Sequence, residues 1–174
     1  MLHVKTLEEL VVPEEYKTRI TLFQSIVSEK SLDFLFQKAT ELGAYGITLF
    51  NSANTATKLT KEQFTKKQDR WNKIMSEAAK QSDRGNIPEL IFLPAMDDVM
   101  KFLPNYQKTF ILDISGMGSK KQELGIINIA VVIGPEGGLA QLELEQLSTL
   151  PNSSLIKISP FALRAETAAI SALS

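Results

Sequence analysis

Two stretches hold the residues that could do chemistry. The first is "IAVVIGPEGGL", where an apolar run ends in Gly134-Pro135-Glu136-Gly137-Gly138 and Leu139. The second is "ISPFALRAETAAI", residues 158–170, with Arg164 and Glu166 two positions apart. The glycine motif has two readings. It is a tight strand-to-helix turn, in which glycines supply φ > 0 and proline fixes φ. Or Gly134, Gly137 and Gly138 let the backbone press against a flat ligand and offer its N–H and C=O groups as contacts. Phosphate chemistry is not indicated. Neither G-x-G-x-x-G nor G-x-x-x-x-G-K-[ST] occurs, and no Lys or Ser follows to hold phosphate or magnesium. A backbone-rich site without a phosphate anchor suits an adenine or adenosine group. Arg164 and Glu166 read either as a solvated surface pair or as part of the same site. Ala165, Ala168, Ala169 and Ala172 give their helix a small-sided face that admits close packing against another backbone.

Composition excludes several alternatives. Cys is absent, which removes a disulfide framework, a thiolate nucleophile and a Cys-ligated metal. The single His, His3, leaves no basis for a His-based metal site or triad, so no metal is expected. A formal net charge of −1 means that any nucleic-acid binding must come from a local patch. The first residues carry acids and lack an A-x-A-like cleavage site, and no apolar run approaches ~18 residues. A cytoplasmic protein is expected, with no membrane partner.

The elements that must position these residues follow from periodicity. Residues 1–18, polar and containing Pro13, read as a linker or the tail of a removed segment. Strands are expected at 20–27, 45–50, 89–93, 108–114, 129–133 and 154–158. Helices are expected from Ser31 as cap to Gly43, at 60–83, near 95–102, at 140–149, and over the final stretch from Pro160. Strands alternating with helices imply an α/β fold with a mainly parallel sheet flanked by helices. "FILDI" and "IAVVI" are apolar on both faces, as central strands are. Ligands of such sheets bind beyond the carboxyl ends of the strands, where the glycine motif sits. The long helix carries Lys66, Arg70, Lys73, Lys80 and Arg84 along one face, with Glu77 the only acid in that row. That face is either an ordinary solvated one or a phosphate-tracking stripe. Phe64, Trp71, Met75 and Ala78 form the apolar stripe beside it, and Trp71 reads as core.

"IGPEGGL" and "LRAETAAI" together resemble the small-subunit (16S) ribosomal RNA uridine-N3 methyltransferases, the RsmE-like branch of the SPOUT superfamily. "FQKATELGAYGI", "RWNKIMSEAAKQSDR" and "IPELIF" agree, so the resemblance runs over residues 19–174. It implies an α/β domain with a deep C-terminal trefoil knot whose loops bind S-adenosyl-L-methionine (SAM). It also implies a homodimer packed through the last helix, with small-subunit ribosomal RNA or the assembled subunit as partner. By resemblance the cofactor pocket is Leu112, Asp113, Ile133 to Leu139, Ile158, Ser159 and Leu163. Methylation at N3 needs an unpaired or flipped base and positioning rather than covalent catalysis. The resemblance assigns Arg164 to the developing charge on the uracil oxygens. Arg84 is expected as a phosphate or uracil-edge contact; the residues identify no general base, and Glu166 is either the nearest candidate or a structural cap for the turn. This chain departs from the family pattern at Ser159, where the family has glycine, and at Phe161, where it has a basic residue. The family's N-terminal PUA-like domain is not in these 174 residues, of which 1–18 read as its remnant. Two alternatives stand beside the methyltransferase: a catalytically weak or inactive RNA-binding and dimerisation module, and, on pattern alone, an NAD- or ATP-binding enzyme.

Overall fold

Alternation along the strands sorts the core into two layers. In β5 (Asn128–Ile133), Ile129, Val131 and Ile133 face one layer, and Ala130 and Val132 the other. In β1 (Arg19–Ser25), Leu22 and Phe23 part in the same way. A strand with two apolar faces needs cover on both sides, and helices supply it. The structure is a computed structural model and describes residues 18–118 and 128–174. The remaining elements are α1 (Glu29–Glu41), β2 (Gly46–Phe50), α2 (Lys61–Gln81), β3 (Glu89–Leu93), α3 (Met96–Phe102), β4 (Lys108–Gly118), α4 (Gln141–Ser148), β6 (Ser153–Lys157) and α5 (Ala165–Leu173). The six strands run parallel in the order β3-β2-β1-β5-β4-β6. Helices α1, α2 and α5 cover one face around Phe36, Trp71 and Met75, while α3 and α4 cover the other around Val99, Leu103 and Leu147. Trp71 is buried against Phe36 and Phe64, as its place on the apolar stripe requires.

Helix starts differ from expectation where two polar residues competed. Ser28, not Ser31, caps α1, its side chain accepting from Ser31 N–H at 3.2 Å. Helix α5 begins at Ala165 rather than near Pro160, because residues 158–164 are drawn across the strand ends instead of coiling. The alanine face of α5 is satisfied within the chain. Ala165 and Ala169 are buried against the α1 side of the core, with Ala168 and Ala172 packed beside them. β6 is an edge strand, yet α5 packs on α1, β5 and β1, so the chain passes back over β4. Whether that return is threaded through a knot depends on residues 119–127, and the linker expectation on residues 1–17. Both segments lie outside the described residues.

Strand β4 runs beyond its expected end, to Gly118, by leaving and rejoining the ladder. Both Leu112 and Met117 pair with Ile156, so the four residues Asp113 to Gly116 loop out around one position of β6. Asp113 Oδ1 closes that loop, accepting from Ser115 N–H at 2.8 Å and Ser115 Oγ at 2.6 Å. A Cβ at Gly116 would stand 2.5 Å from the Ile156 carbonyl carbon, which no side chain tolerates.

Arg84 and the basic row on α2 have structural tasks. Arg84 donates to Thr40 O at 2.8 Å and to Ala44 O at 3.1 and 3.2 Å. These carbonyls close α1 and lead into β2, where helical partners have run out. Arg84 therefore sits at the amino edge of the sheet. It is a full strand length from the carboxyl edge, so it is not a contact to phosphate or uracil there. Along the row, Lys66 pairs with Glu62 at 2.6 Å and Lys80 with Glu77 at 2.9 Å. Arg70 grips Asp33 and Glu29, and neighbouring Lys67 reaches Glu29 at 2.7 Å. Glu62 and Glu77 lie on α2 itself and Glu29 and Asp33 on α1, so Lys66, Arg70 and Lys80 of the row stand in exposed ion pairs and Lys73 does not. Lys67 holds the Glu29 carboxyl below its ordinary value, with Arg70 adding to the effect. A lowered folded value means that this tie persists at neutral pH and is lost only as pH falls through the carboxylate range. Its weight is small, because the pair is exposed.

Two substitutions check this account. Arg84→Ala strands buried carbonyls and should lower unfolding free energy by about 1–3 kcal/mol in urea titration. Gly116→Ala forces β6 away from β4 and should cost roughly 1–3 kcal/mol by the same measurement.

Candidate functional site

The carboxyl ends of β5, β4 and β6, neighbours in the sheet, open into one cavity of about 370 Å³. Its walls come from three loops. The end of β4 gives Leu112, Asp113 and Ile114; the stretch after β5 gives Ile133 to Leu139; the stretch around the end of β6 gives Ile156 to Ser159 and Phe161 to Leu163. Ala165 and Ala168 of α5 close the side. Every residue that the sequence assigned to a cofactor pocket lines this one cavity. Reasoning from sequence missed Ile114, Ile156, Lys157, Ala165 and Ala168. The loop-out of β4 that carries Ile114 has no local signal, because it is set by pairing with β6.

The glycine motif is a turn and a wall at once. Gly138 N–H donates to Pro135 O at 2.9 Å, and Gly138 stands at φ 72°. Gly134 has a different constraint: a Cβ there would meet Leu139 N at 2.8 Å, so only hydrogen fits. Turn chemistry and close approach thus shape the same seven residues.

Polar groups from β1, from the loops after β1 and β2, and from α4 hold this wall from behind. Gln24, fully buried at the end of β1, donates from Nε2 to Gly134 O at 3.3 Å. Ser28 N–H donates to Glu136 Oε1 at 3.4 Å. Asn54, in the loop after β2, donates from Nδ2 to Gly138 O at 3.1 Å and Gly137 O at 3.4 Å. Glu143 of α4 is buried and accepts from Ala140 N–H at 2.9 Å and Ala53 N–H at 2.8 Å. None of the four was singled out in the sequence. The available signal was a polar pair, Gln24-Ser25, ending an apolar strand, and a polar run from Asn51 to Thr55 ending another.

Arg164 and Glu166 occupy the rim. Arg164 is the N-cap residue of α5, lies between the lining residues Leu163 and Ala165, and is exposed. Its guanidinium makes no hydrogen bond or ion pair with a described residue. Glu166 is half-buried in the first turn of the same helix. Ser159 Oγ accepts from Phe161 N–H at 3.1 Å, and this turn pushes the Phe161 ring outward to 77% exposure at the mouth. The lining fits an adenosine-bearing cation. It offers the carboxylates of Asp113 and Glu136, one ammonium at Lys157, backbone groups of the glycine motif, and flat apolar surface from Leu112, Ile133, Leu139, Ile158 and Leu163. No cluster of metal-ligating side chains occurs among the described residues, and no helix among them is long and apolar enough to cross a membrane.

Comparison with known proteins accords with this geometry. Residues 14–174 match the model of the RNA methyltransferase domain family. A relative from Bacillus subtilis, ribosomal RNA small subunit methyltransferase E, is 30% identical over 169 residues, covering 92% of this chain and 66% of its own length. The protein of the same name from Mesomycoplasma hyopneumoniae is 34% identical over 168 residues, covering 94% of this chain and 71% of its own length. This chain thus spans about two thirds of the length of such relatives. The crystal structure of a ribosomal RNA small subunit methyltransferase E from Neisseria gonorrhoeae, bound to S-adenosyl methionine, superposes with a TM-score of 0.83 at 27% identity, covering 96% of this chain and 68% of that one. The cavity, the parallel sheet behind it and these likenesses agree: the chain belongs to the RNA methyltransferase family, in the branch of the ribosomal RNA small subunit methyltransferases E.

Proposed function

We propose that this chain is a SAM-dependent methyltransferase that acts on N3 of a uridine in small-subunit (16S) ribosomal RNA, as a homodimer in the cytoplasm. The observation that carries the reading is the single cavity at the carboxyl ends of β5, β4 and β6. Its wall is backbone-rich and carries two carboxylates, and it lacks a phosphate fingerprint. The bound cofactor would supply an electrophilic methyl group on a sulfonium that serves as its own leaving group. The chain's residues do the rest. Asp113 and Glu136 favour a cationic ligand, and the apolar side chains of the lining receive a flat base.

The uracil edge meets Arg164 at the rim. N3 of uracil is a weak acid, and negative charge spreads onto the carbonyl oxygens as its proton leaves. A guanidinium placed there stabilises that charge more in the transition state than in the ground state. Glu166, in the first turn of α5, is the candidate acceptor of the N3 proton. The α2 row remains the candidate for grip on RNA phosphates: its ion pairs at Lys66, Arg70 and Lys80 are exposed and weak, and Lys73 stands outside them. The dimer reading rests on Ile114, Met117 and Phe161, exposed apolar side chains close to the cavity. Apolar surface of this kind suits a partner copy.

Calorimetric titration of the chain with SAM, with NAD and ATP as controls, tests the first step. Saturable binding of SAM alone, one per subunit, is expected. Binding of NAD or ATP instead would overturn the assignment. Arg164→Ala should lower the methylation rate by about two to three orders of magnitude while SAM affinity stays unchanged. Retention of full activity would remove Arg164 from the mechanism.

A further inference from the structure

We infer that Asn54 and Glu143 are positioning residues for the cofactor. Neither lines the cavity, and together they fix the wall that does. This rests on the SAM-binding reading of that cavity. The wall from Gly134 to Ala140 is held at both ends by other elements. At its start, Ile133 pairs with Gln24 of β1 and Leu112 of β4. At its far end, one buried carboxylate spans two chain segments. Glu143 takes Ala140 N–H on one oxygen and Ala53 N–H on the other. Between the two ends, Asn54 Nδ2 donates to the carbonyls of Gly137 and Gly138. A side-chain amide directed at two peptide carbonyls sets the rotation of those peptide planes, and so the direction of the N–H groups on their other side.

The support behind the brace is rigid. Ser25, Ser52 and Thr55 form a buried hydroxyl triangle with edges of 2.8, 3.0 and 3.1 Å, which pins the loop after β2 to the end of β1. Thr55 Oγ1 also accepts from Ser52 N–H at 2.9 Å. Asn51 clamps the far side of that loop, donating to Leu59 O and Pro94 O and accepting from Leu59 N–H. The three glycines of the wall have no side chains with which to hold its shape, and its own ties are the Gly138 N–H to Pro135 O turn and the contact of Glu136 with Ser28 N–H. The rest of its shape is set from the loop after β2, by Asn54 directly and by Ala53 through Glu143 of α4.

The test uses Asn54→Ala and Glu143→Gln in the full chain, with three readouts: amide hydrogen exchange without ligand, SAM affinity by calorimetry, and the thermal midpoint. Asn54 is exposed, so Asn54→Ala keeps the test open if Glu143→Gln fails to fold. Faster exchange confined to residues 134–140 is expected, together with roughly tenfold weaker SAM binding. The double variant should lose less than the product of the two single losses, because both residues act on one wall. Unchanged exchange in that segment, or unchanged affinity, overturns the inference. So does faster exchange everywhere with a lowered midpoint, which is a general loss of structure. If the unaltered chain fails to bind SAM, the proposed function falls, and the exchange readout, which needs no ligand, still decides whether the wall is braced.

Discussion

The pairing of β5 between β1 and β4 is the constraint on which the rest depends. In a parallel sheet all strands end on one edge, and β5 ends there first. Its last residue, Ile133, is registered against Gln24 on one side and Leu112 on the other. The next residue must turn away in the trough between two longer neighbours. A side chain there would strike Leu139 N, so the residue is glycine. β4 continues past this point only by looping four residues out of its ladder with β6, and the loop delivers Asp113 and Ile114 to the same trough. The cavity is therefore a product of unequal strand ends rather than of a dedicated insertion.

A cavity walled by backbone gains fixed direction and loses internal support. Peptide N–H and C=O groups cannot rotate independently, so a ligand meets donors and acceptors already aimed. The glycines that expose them bring no packing of their own. The polar residues behind the wall answer that deficit. Each buried polar group at the strand ends needs a partner, and the partners available are the peptides of the glycine loop. Glu143 is satisfied by Ala140 N–H and Ala53 N–H, whereas Gln24 shares its Nε2 between Ser25 O and Gly134 O. Stability of the edge and shape of the site come from the same hydrogen bonds.

This division explains what could be read in the sequence. All six strands and the parallel sheet follow from apolar runs such as "IAVVI", since burial on both faces leaves a local mark. The cofactor wall was legible as well, because Gly134 and Gly138 record backbone demands that only glycine meets. Contacts between distant segments leave no such mark. The acids that neutralise Arg70 lie on α1, outside the periodicity of α2. The start of α5 was read too early, since Pro160 suits a first helical turn. Tertiary demand instead stretched residues 158–164 across the strand ends to line the cavity. Asn54 looks like any polar loop residue until β2 brings it to the glycine loop, and Glu143 like any helix-face acid until the same loop brings Ala53 N–H to it.

The fates of Arg84 and Arg164 show how the same side chain is assigned to structure or left for chemistry. Arg84 follows the C-terminus of α2 and faces the C-terminus of α1. Carbonyl oxygens without helical partners crowd there, and the end of the helix dipole is negative. Its guanidinium is consumed by Thr40 O and Ala44 O. Arg164 precedes the N-terminus of α5, where N–H groups face outward and the dipole end is positive. That end has no side-chain cap, and the cavity wall turns into the helix at Ala165. Nothing local attracts the guanidinium, so it extends from the rim. Helix end and guanidinium then both favour negative charge at one place. On the proposed N3 methylation, an enolate-like uracil, charged only while N3 is losing its proton, is the species that such a rim would stabilise selectively.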